Sequence, residues 1–237
     1  VFEMMVRPTP LVLVPGLLCS ARLYAAQIAA AWPHGQVTVA DNRRDDTIEA
    51  IAARILKDAP PRFALAGLSM GGYIAFAMMR LAPDRVVKLA LLDTSARPDL
   101  PEQRVGRERL ITMAQEGKLD DVVDTLMPKF LCPASMNDEG LRNIVREMAH
   151  DTGPDAFVRQ QRAIMSRQDS RPLLSRISCP TLVLVGEGDE LTPLEMAREM
   201  HANIPGSRLV VVPGCGHLPT IEKPDEVNIA IIEWLKA

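Results

Sequence analysis

Short apolar runs bounded by turn residues alternate along the chain with longer stretches in which apolar residues recur every three or four positions. The runs cover residues 11–14, 37–40, 63–67, 87–92, 181–185 and 209–212. Their length and unbroken apolar character predict strands buried on both faces. Between them the helical period predicts helices over residues 21–31, 47–57, 71–81, 193–204 and 225–236. Strand and helix in alternation predict an α/β fold. A parallel pair needs a crossover long enough to hold a helix, so the expected sheet is mainly parallel, of about six strands, with helices on both faces.

The alternation stops between residues 96 and 172. No strand-like run occurs there, and charged helical patterns cover 102–116, 119–127, 138–150 and 155–167, punctuated by prolines at 98, 101, 128, 133, 154 and 172. This predicts a core made of residues 1–95 and 173–237 and a helical insertion, 96–172, placed between two sheet strands. The insertion's charges nearly cancel, which suits a solvated cap better than a basic binding arm.

The composition narrows the function classes. In 237 residues, 47% are hydrophobic and 24% charged, a globular balance rather than that of a disordered chain. No apolar stretch reaches the roughly 18 residues a membrane span needs. With 27 Lys and Arg against 30 Asp and Glu, the net charge of −3 offers no excess to hold a phosphate backbone. Nucleic acid and membrane are therefore not expected as partners. Cys19, Cys132, Cys179 and Cys215 lack the close pairing of a zinc site or the density of a disulfide scaffold, and read as small apolar residues in a reducing compartment. Residues 1–10 carry neither a long apolar core nor a small-residue cleavage site, so the expectation is a cytoplasmic protein.

The most specific local signal is Gly67-Leu68-Ser69-Met70-Gly71, directly after a predicted strand and at the start of a predicted helix. A strand turning sharply into a helix forces its central residue into a strained conformation, and side chains two positions either side would collide. The Ser69 hydroxyl is then held clear of the sheet edge, with the Met70 amide at a helix N-terminus beside it. A serine needs a base to remove its proton. Of four histidines, His217 follows the strand 209–212 in a glycine-rich loop, while His34, His150 and His201 fall in helical or surface contexts. The base in turn needs an acid to hold its tautomer. Asp189 follows the strand 181–185, with Glu187 and Glu190 as rivals by proximity and Asp93 as a rival by its place at the end of the strand 87–92. The order Ser69, Asp189, His217 suits groups carried on the ends of successive parallel strands. The loop Pro15-Gly16-Leu17-Leu18 after the first strand makes the Leu17 amide the candidate second oxyanion donor. Leu18 and Leu68, with Met70, would give the site an apolar floor.

These motifs resemble the α/β-hydrolase superfamily, and within it the small capped hydrolases similar to pimeloyl-ACP methyl ester esterase and related carboxylesterases. The resemblance rests on Leu13-Val14-Pro15-Gly16, on Gly67 to Gly72, on Gly186-Glu187-Gly188-Asp189 with Pro193, and on Gly216-His217. It implies that the insertion is a lid over an active site. Two features depart from the family pattern. Pro15 replaces the usual histidine, and only about ten residues precede the first strand, too few for an opening antiparallel hairpin. The expected activity is cleavage of a small or medium carboxylic ester or thioester through an acyl-enzyme on Ser69, without cofactor or metal. A C–C hydrolase, lyase or perhydrolase with the same triad, or a non-catalytic ligand receptor, are the rivals, because one fold hosts many chemistries. Arg97, Arg167 and Arg171, near the insertion's two junctions, read as solvated surface groups ahead of partners for an acidic substrate. Asn42, Arg43 and Arg44 read as a charged turn.

Overall fold

The computed structural model describes residues 8–237, so most of the N-terminal segment read for an export signal lies outside the described residues. Six strands form one sheet: β1 (Leu11–Val14), β2 (Val37–Val39), β3 (Phe63–Leu68), β4 (Val86–Leu92), β5 (Thr181–Gly186) and β6 (Arg208–Val212). Every neighbouring pair is parallel, in the order β2-β1-β3-β4-β5-β6. The fold class read from the pattern is therefore the one observed. One detail is corrected. The central strands β1, β3 and β5 are buried along their whole length, but Thr38 on β2 and Arg208 on β6 are exposed. Those two strands close the sheet's edges, where each has a single neighbour, and the apolar run alone does not reveal which strands will be edges.

The core helices are α1 (Ala25–Ala31), α2 (Ile48–Asp58) and α3 (Met70–Leu81). Between β4 and β5 come α4 (Pro101–Gln115), α5 (Leu119–Phe130), α6 (Glu139–Thr152), α7 (Pro154–Ser166) and the short α8 (Arg171–Leu174). After β5 follow α9 (Leu194–Asn203), α10 (Pro219–Glu222) and α11 (Pro224–Lys236). Right-handed crossovers sort them by face. The chain steps forward across the sheet through α2, α3 and α9 and backward through α1, so α1 lies on the opposite face, where it packs against α11. The helix expected over 21–31 begins instead as a 3-10 turn, Ala21–Tyr24, whose buried Tyr24 hydroxyl donates to the Val14 carbonyl at 2.9 Å. Pro101, Pro154 and Pro172 sit in first turns, where a missing N–H costs nothing. Pro128 does not end α5: the helix runs on to Phe130, which is buried against the ring of His217.

All six strands point the same way, so their carboxyl ends share one edge. The strand order reverses between β1 and β3, and loops leaving these two strands diverge to opposite faces and open a crevice there. The backbone comes very close at this point. A Cβ on Gly71 would lie 2.0 Å from the Val14 carbonyl oxygen, and one on Gly67 would lie 2.2 Å from the carbonyl oxygen of Gly71. Both contacts are with backbone, which cannot swing aside. Gly71→Ala is accordingly expected to destabilise the fold by about 3 kcal/mol or more, at or above the upper end of the usual cost of overpacking, because backbone cannot yield. Thermal unfolding checks this, and an unchanged melting temperature would contradict it.

Candidate active site

Ser69 stands between β3 and α3 with φ 54° and ψ −114°, a conformation that L-residues avoid. Such strain, worth about 1–3 kcal/mol, persists only where neighbours over-determine it. Here the Ser69 N–H donates to the Leu92 carbonyl at 2.9 Å, and the Thr94 hydroxyl donates to the Ser69 carbonyl at 2.7 Å. Gly72 makes room for the Thr94 side chain, since a Cβ there would fall 2.3 Å from the Thr94 hydroxyl oxygen. The first turn of α3 begins at Met70, so a helix N-terminus adjoins the serine.

The loops after β5 and β6 bring the other two groups to it. Ser69 Oγ lies 2.8 Å from His217 Nε2, and His217 Nδ1 lies 2.8 Å from Asp189 Oδ2. Asp189 also accepts the Leu191 and Thr192 N–H groups at 2.8 and 3.1 Å on Oδ1, and the Thr192 hydroxyl at 2.6 Å on Oδ2. Burial alone would raise its pKa. The charge His217 carries when protonated, and the hydrogen bonds from His217 and Thr192, outweigh that and bring it down to about 2. An ionised carboxylate can only accept, so Nδ1 must carry the proton, and Nε2 of the neutral ring is left to accept from the Ser69 hydroxyl. The stability this carboxylate contributes is present above its ordinary pKa and is lost as pH falls from about 4 to 2. His217 itself is 2% exposed, stacks on Phe130 and donates its N–H to the Phe130 carbonyl at 3.1 Å.

The rival acids separate clearly. Glu187 and Glu190 are exposed. Asp93, wholly buried, places an oxygen within 4.8 Å of the Asp189 and His217 ligand atoms. Its Oδ1 accepts the Gly186 N–H at 2.8 Å, while Oδ2 has no partner among the described residues. Burial first, then the negative charge of Asp189, hold this carboxyl well above the usual range, so it is a neutral acid beside an ionised one. The three groups are spaced as metal ligands could be, yet the Asp189 oxygens and both His217 nitrogens already have partners within the protein. Because the fold favours protonated Asp93, its contribution to stability is intact below the ordinary carboxylate pKa and eroded as pH rises above it. Asp93→Asn, which never ionises, is expected to raise the melting temperature by about 2–4 °C at pH 8, with a smaller gain at pH 5. Equal gains at both pH values would contradict a neutral buried acid.

The loop after β1 is held by residues that the sequence does not mark. Asn42 is buried, not part of a solvated turn: its Nδ2 donates to the Pro15 carbonyl at 2.8 Å, and its Oδ1 accepts from Gln160 Nε2 at 2.9 Å. Gln160 Oε1, from α7, accepts the Leu18 N–H at 3.1 Å. Leu18, at φ 57°, is thus fixed by a relay that joins the loop after β1 to α7. Leu17 and Met70 N–H have no acceptor among the described residues. On the opposite side, Glu222 of α10 accepts the N–H of Gly216 at 2.9 Å and of Cys132 at 2.8 Å, tying the His217 loop to the end of α5. No local motif announces Asn42, Gln160 or Glu222, because each acts across more than 80 residues or within a loop of irregular shape.

Above Ser69 and His217 lies a cavity of about 320 Å³, at the lower end of the range for small-molecule sites. Leu17 and Leu68 line it, together with Leu126, Ile164 and Leu191. Leu18 and Met70 side chains do not: both are buried in the core. Three of the four cysteines are buried, and burial pushes the Cys19 thiol up to about 12.

Sheet order and site together put the chain in the α/β-hydrolase class of enzymes. It belongs to the alpha/beta hydrolase family, which it matches over residues 11–230. Over 190 residues it is 28% identical to pimeloyl-[acyl-carrier protein] methyl ester esterase of Nitrosomonas europaea, covering 77% of this chain and 73% of that protein. Among solved structures it resembles a malate-bound thermophilic esterase from Thermogutta terrifontis, with TM-score 0.88, 32% identity and coverage of 97% and 90% of the two chains. It is likewise similar to the enol-lactonase from Burkholderia xenovorans LB400, with TM-score 0.88, 26% identity and coverage of 99% and 94%. The chain is therefore an enzyme, a hydrolase. No helix among the described residues is long and apolar enough to cross a membrane.

Proposed function

We propose that this hydrolase cleaves a small or medium carboxylic ester or thioester through an acyl-enzyme on Ser69. The observation that carries the reading is the unbroken relay Ser69 Oγ, His217 Nε2, His217 Nδ1, Asp189 Oδ2, with 2.8 Å at both hydrogen bonds. Ser69 Oγ attacks the acyl carbonyl while its proton passes to His217 Nε2. The oxyanion that forms is held by the Leu17 and Met70 N–H groups. Collapse breaks the bond to the alcohol or thiol, which leaves with the proton from His217. Water then repeats the sequence on the acyl-serine and releases the acid. Asp189 holds the ring and stabilises the imidazolium at each stage. These steps call on no cofactor.

Residues 96–172 serve in this reading as the lid. Leu126 of α5 and Ile164 of α7 face the cavity, and Phe130 backs His217. Relatives named for esterase and lactonase activity support acyl C–O cleavage over C–C cleavage. The test is turnover of p-nitrophenyl esters from acetate to decanoate, with fluorophosphonate labelling mapped by peptide mass. Labelling on the Ser69 peptide and a rate that peaks at short or medium acyl chains are expected. Absence of labelling on an active protein would reject the nucleophile.

A further inference from the structure

Part of the cavity lining is charged in a way that the triad does not use. Among the described residues four arginines line the cavity, Arg97, Arg107, Arg167 and Arg171, and no Asp or Glu does. Arg97 and Arg171 are half-exposed and paired outside the cavity, with Glu199 at 2.8 Å and Asp169 at 2.6 Å. Arg167 differs from the surface group its position suggested. It is 8% exposed, and its guanidinium stacks at 4.4 Å over the ring of Tyr73, one helical turn beyond Ser69.

Arg167 and Arg107 share a single counter-ion. Asp99, whose side chain is wholly buried, accepts from Arg107 Nε at 2.7 Å and Arg167 Nη1 at 2.5 Å. Two guanidinium groups against one carboxylate leave one positive charge over. Two donors on the same wall also lack acceptors. Arg167 uses Nε on the Arg97 carbonyl and Nη1 on Asp99 and the Ile164 carbonyl, while Nη2 donates to no group among the described residues. Gln161 Oε1 accepts from Arg107 Nη1 at 2.9 Å, which fixes the amide so that its Nε2 is the free end. Gln161 is wholly buried, lines the cavity, and its Nε2 has no partner among the described residues. A cluster built only to hold helices would balance its charge and satisfy its donors, since buried polar groups are costly to leave unpaired. A cluster built to receive an anion leaves both open.

We propose that this wall binds a carboxylate, so that the preferred substrate is an ester or thioester carrying a second, ionised acid group held by Arg167 and Gln161 while its acyl carbonyl faces Ser69. This rests on the Ser69 reading above. Planar guanidinium geometry matches a carboxylate, and partial exclusion of water strengthens the pairing. Apolar acyl chains of the same length gain only contact with the leucines.

The test is competition against fluorophosphonate labelling of the wild-type protein, which reads binding at Ser69 without requiring turnover. Monomethyl succinate, glutarate and adipate are compared with the uncharged methyl esters of matching length, methyl butyrate, pentanoate and hexanoate. The best hemi-ester is expected to halve the labelling rate at a concentration at least about tenfold below that of its neutral counterpart. Arg107→Met cancels the excess charge and is expected to bring that ratio within about twofold, while Arg107→Lys retains most of it. If the protein labels but charged and neutral esters protect equally, the carboxylate site is overturned and the Ser69 reading stands. A ratio unchanged in Arg107→Met overturns the assignment of this wall. If wild type does not label at all, the Ser69 reading falls and this inference falls with it. Should Arg107→Met fail to fold, the wild-type ratio decides.

Discussion

Ser69→Ala is expected to lower kcat/KM for any ester the protein hydrolyses by about 10⁶-fold, the loss seen when a serine nucleophile is removed from an assembled triad. What remains is the modest catalysis of the oxyanion donors and of binding. The substitution leaves the turn intact. Alanine at φ 54° carries strain like that of serine, and the backbone bonds to Leu92 and Thr94 do not involve the hydroxyl. The melting temperature is therefore expected to stay within a few degrees of wild type. Initial rates on a p-nitrophenyl ester, paired with a thermal melt of the same sample, check both halves. A folded variant that kept more than about 1% of the wild-type rate would remove Ser69 from the mechanism.

Asp189→Asn is expected to cost about 10⁴-fold in kcat, and the reason lies in which atom faces the ring. Oδ1 accepts the Leu191 and Thr192 N–H groups, so an asparagine oxygen takes that position and its NH₂ replaces Oδ2 beside His217. An NH₂ there donates to Nδ1. The ring proton then moves to Nε2, which can no longer accept from Ser69. Asp93→Asn removes a group that is already neutral and hydrogen-bonded through the oxygen an asparagine retains, so its activity is expected to change less than tenfold. Steady-state kinetics of the two variants side by side decide between the two carboxylates. A greater loss in Asp93→Asn would exchange their roles.

The site was legible where chemistry is written locally. The Gly67 to Gly71 motif, the loop carrying Asp189 and the Gly216-His217 pair each combine a residue type with a turn at a strand end, and the structure brings all three together. The choice between Asp189 and Asp93 was not legible in that way. Both follow strands at the same edge, and only the packed fold gives one carboxylate three further donors and the other a single N–H. The same holds for Asn42, which looks like part of a charged turn beside Arg43 and Arg44 but is buried against Pro15 and Gln160. Arg167 looks like a surface residue because arginines usually are, and becomes a cavity wall only because Asp99 and Tyr73 are folded beneath it.

The chain's pattern by itself determined the alternation of strand and helix, the parallel sheet, and the serine and histidine of the relay. Those properties follow from periodicity and from turn chemistry, which act over a few residues. Tertiary structure alone decided which strands are edges, which acid pairs with His217, what holds the Leu17 loop and where unpaired charge faces the cavity. Each of these depends on burial and on partners distant in the chain, from Leu18 with Gln160 to Ser69 with His217. A residue's solvent exposure and electrostatic surroundings are set only when the elements pack, and no local pattern encodes them.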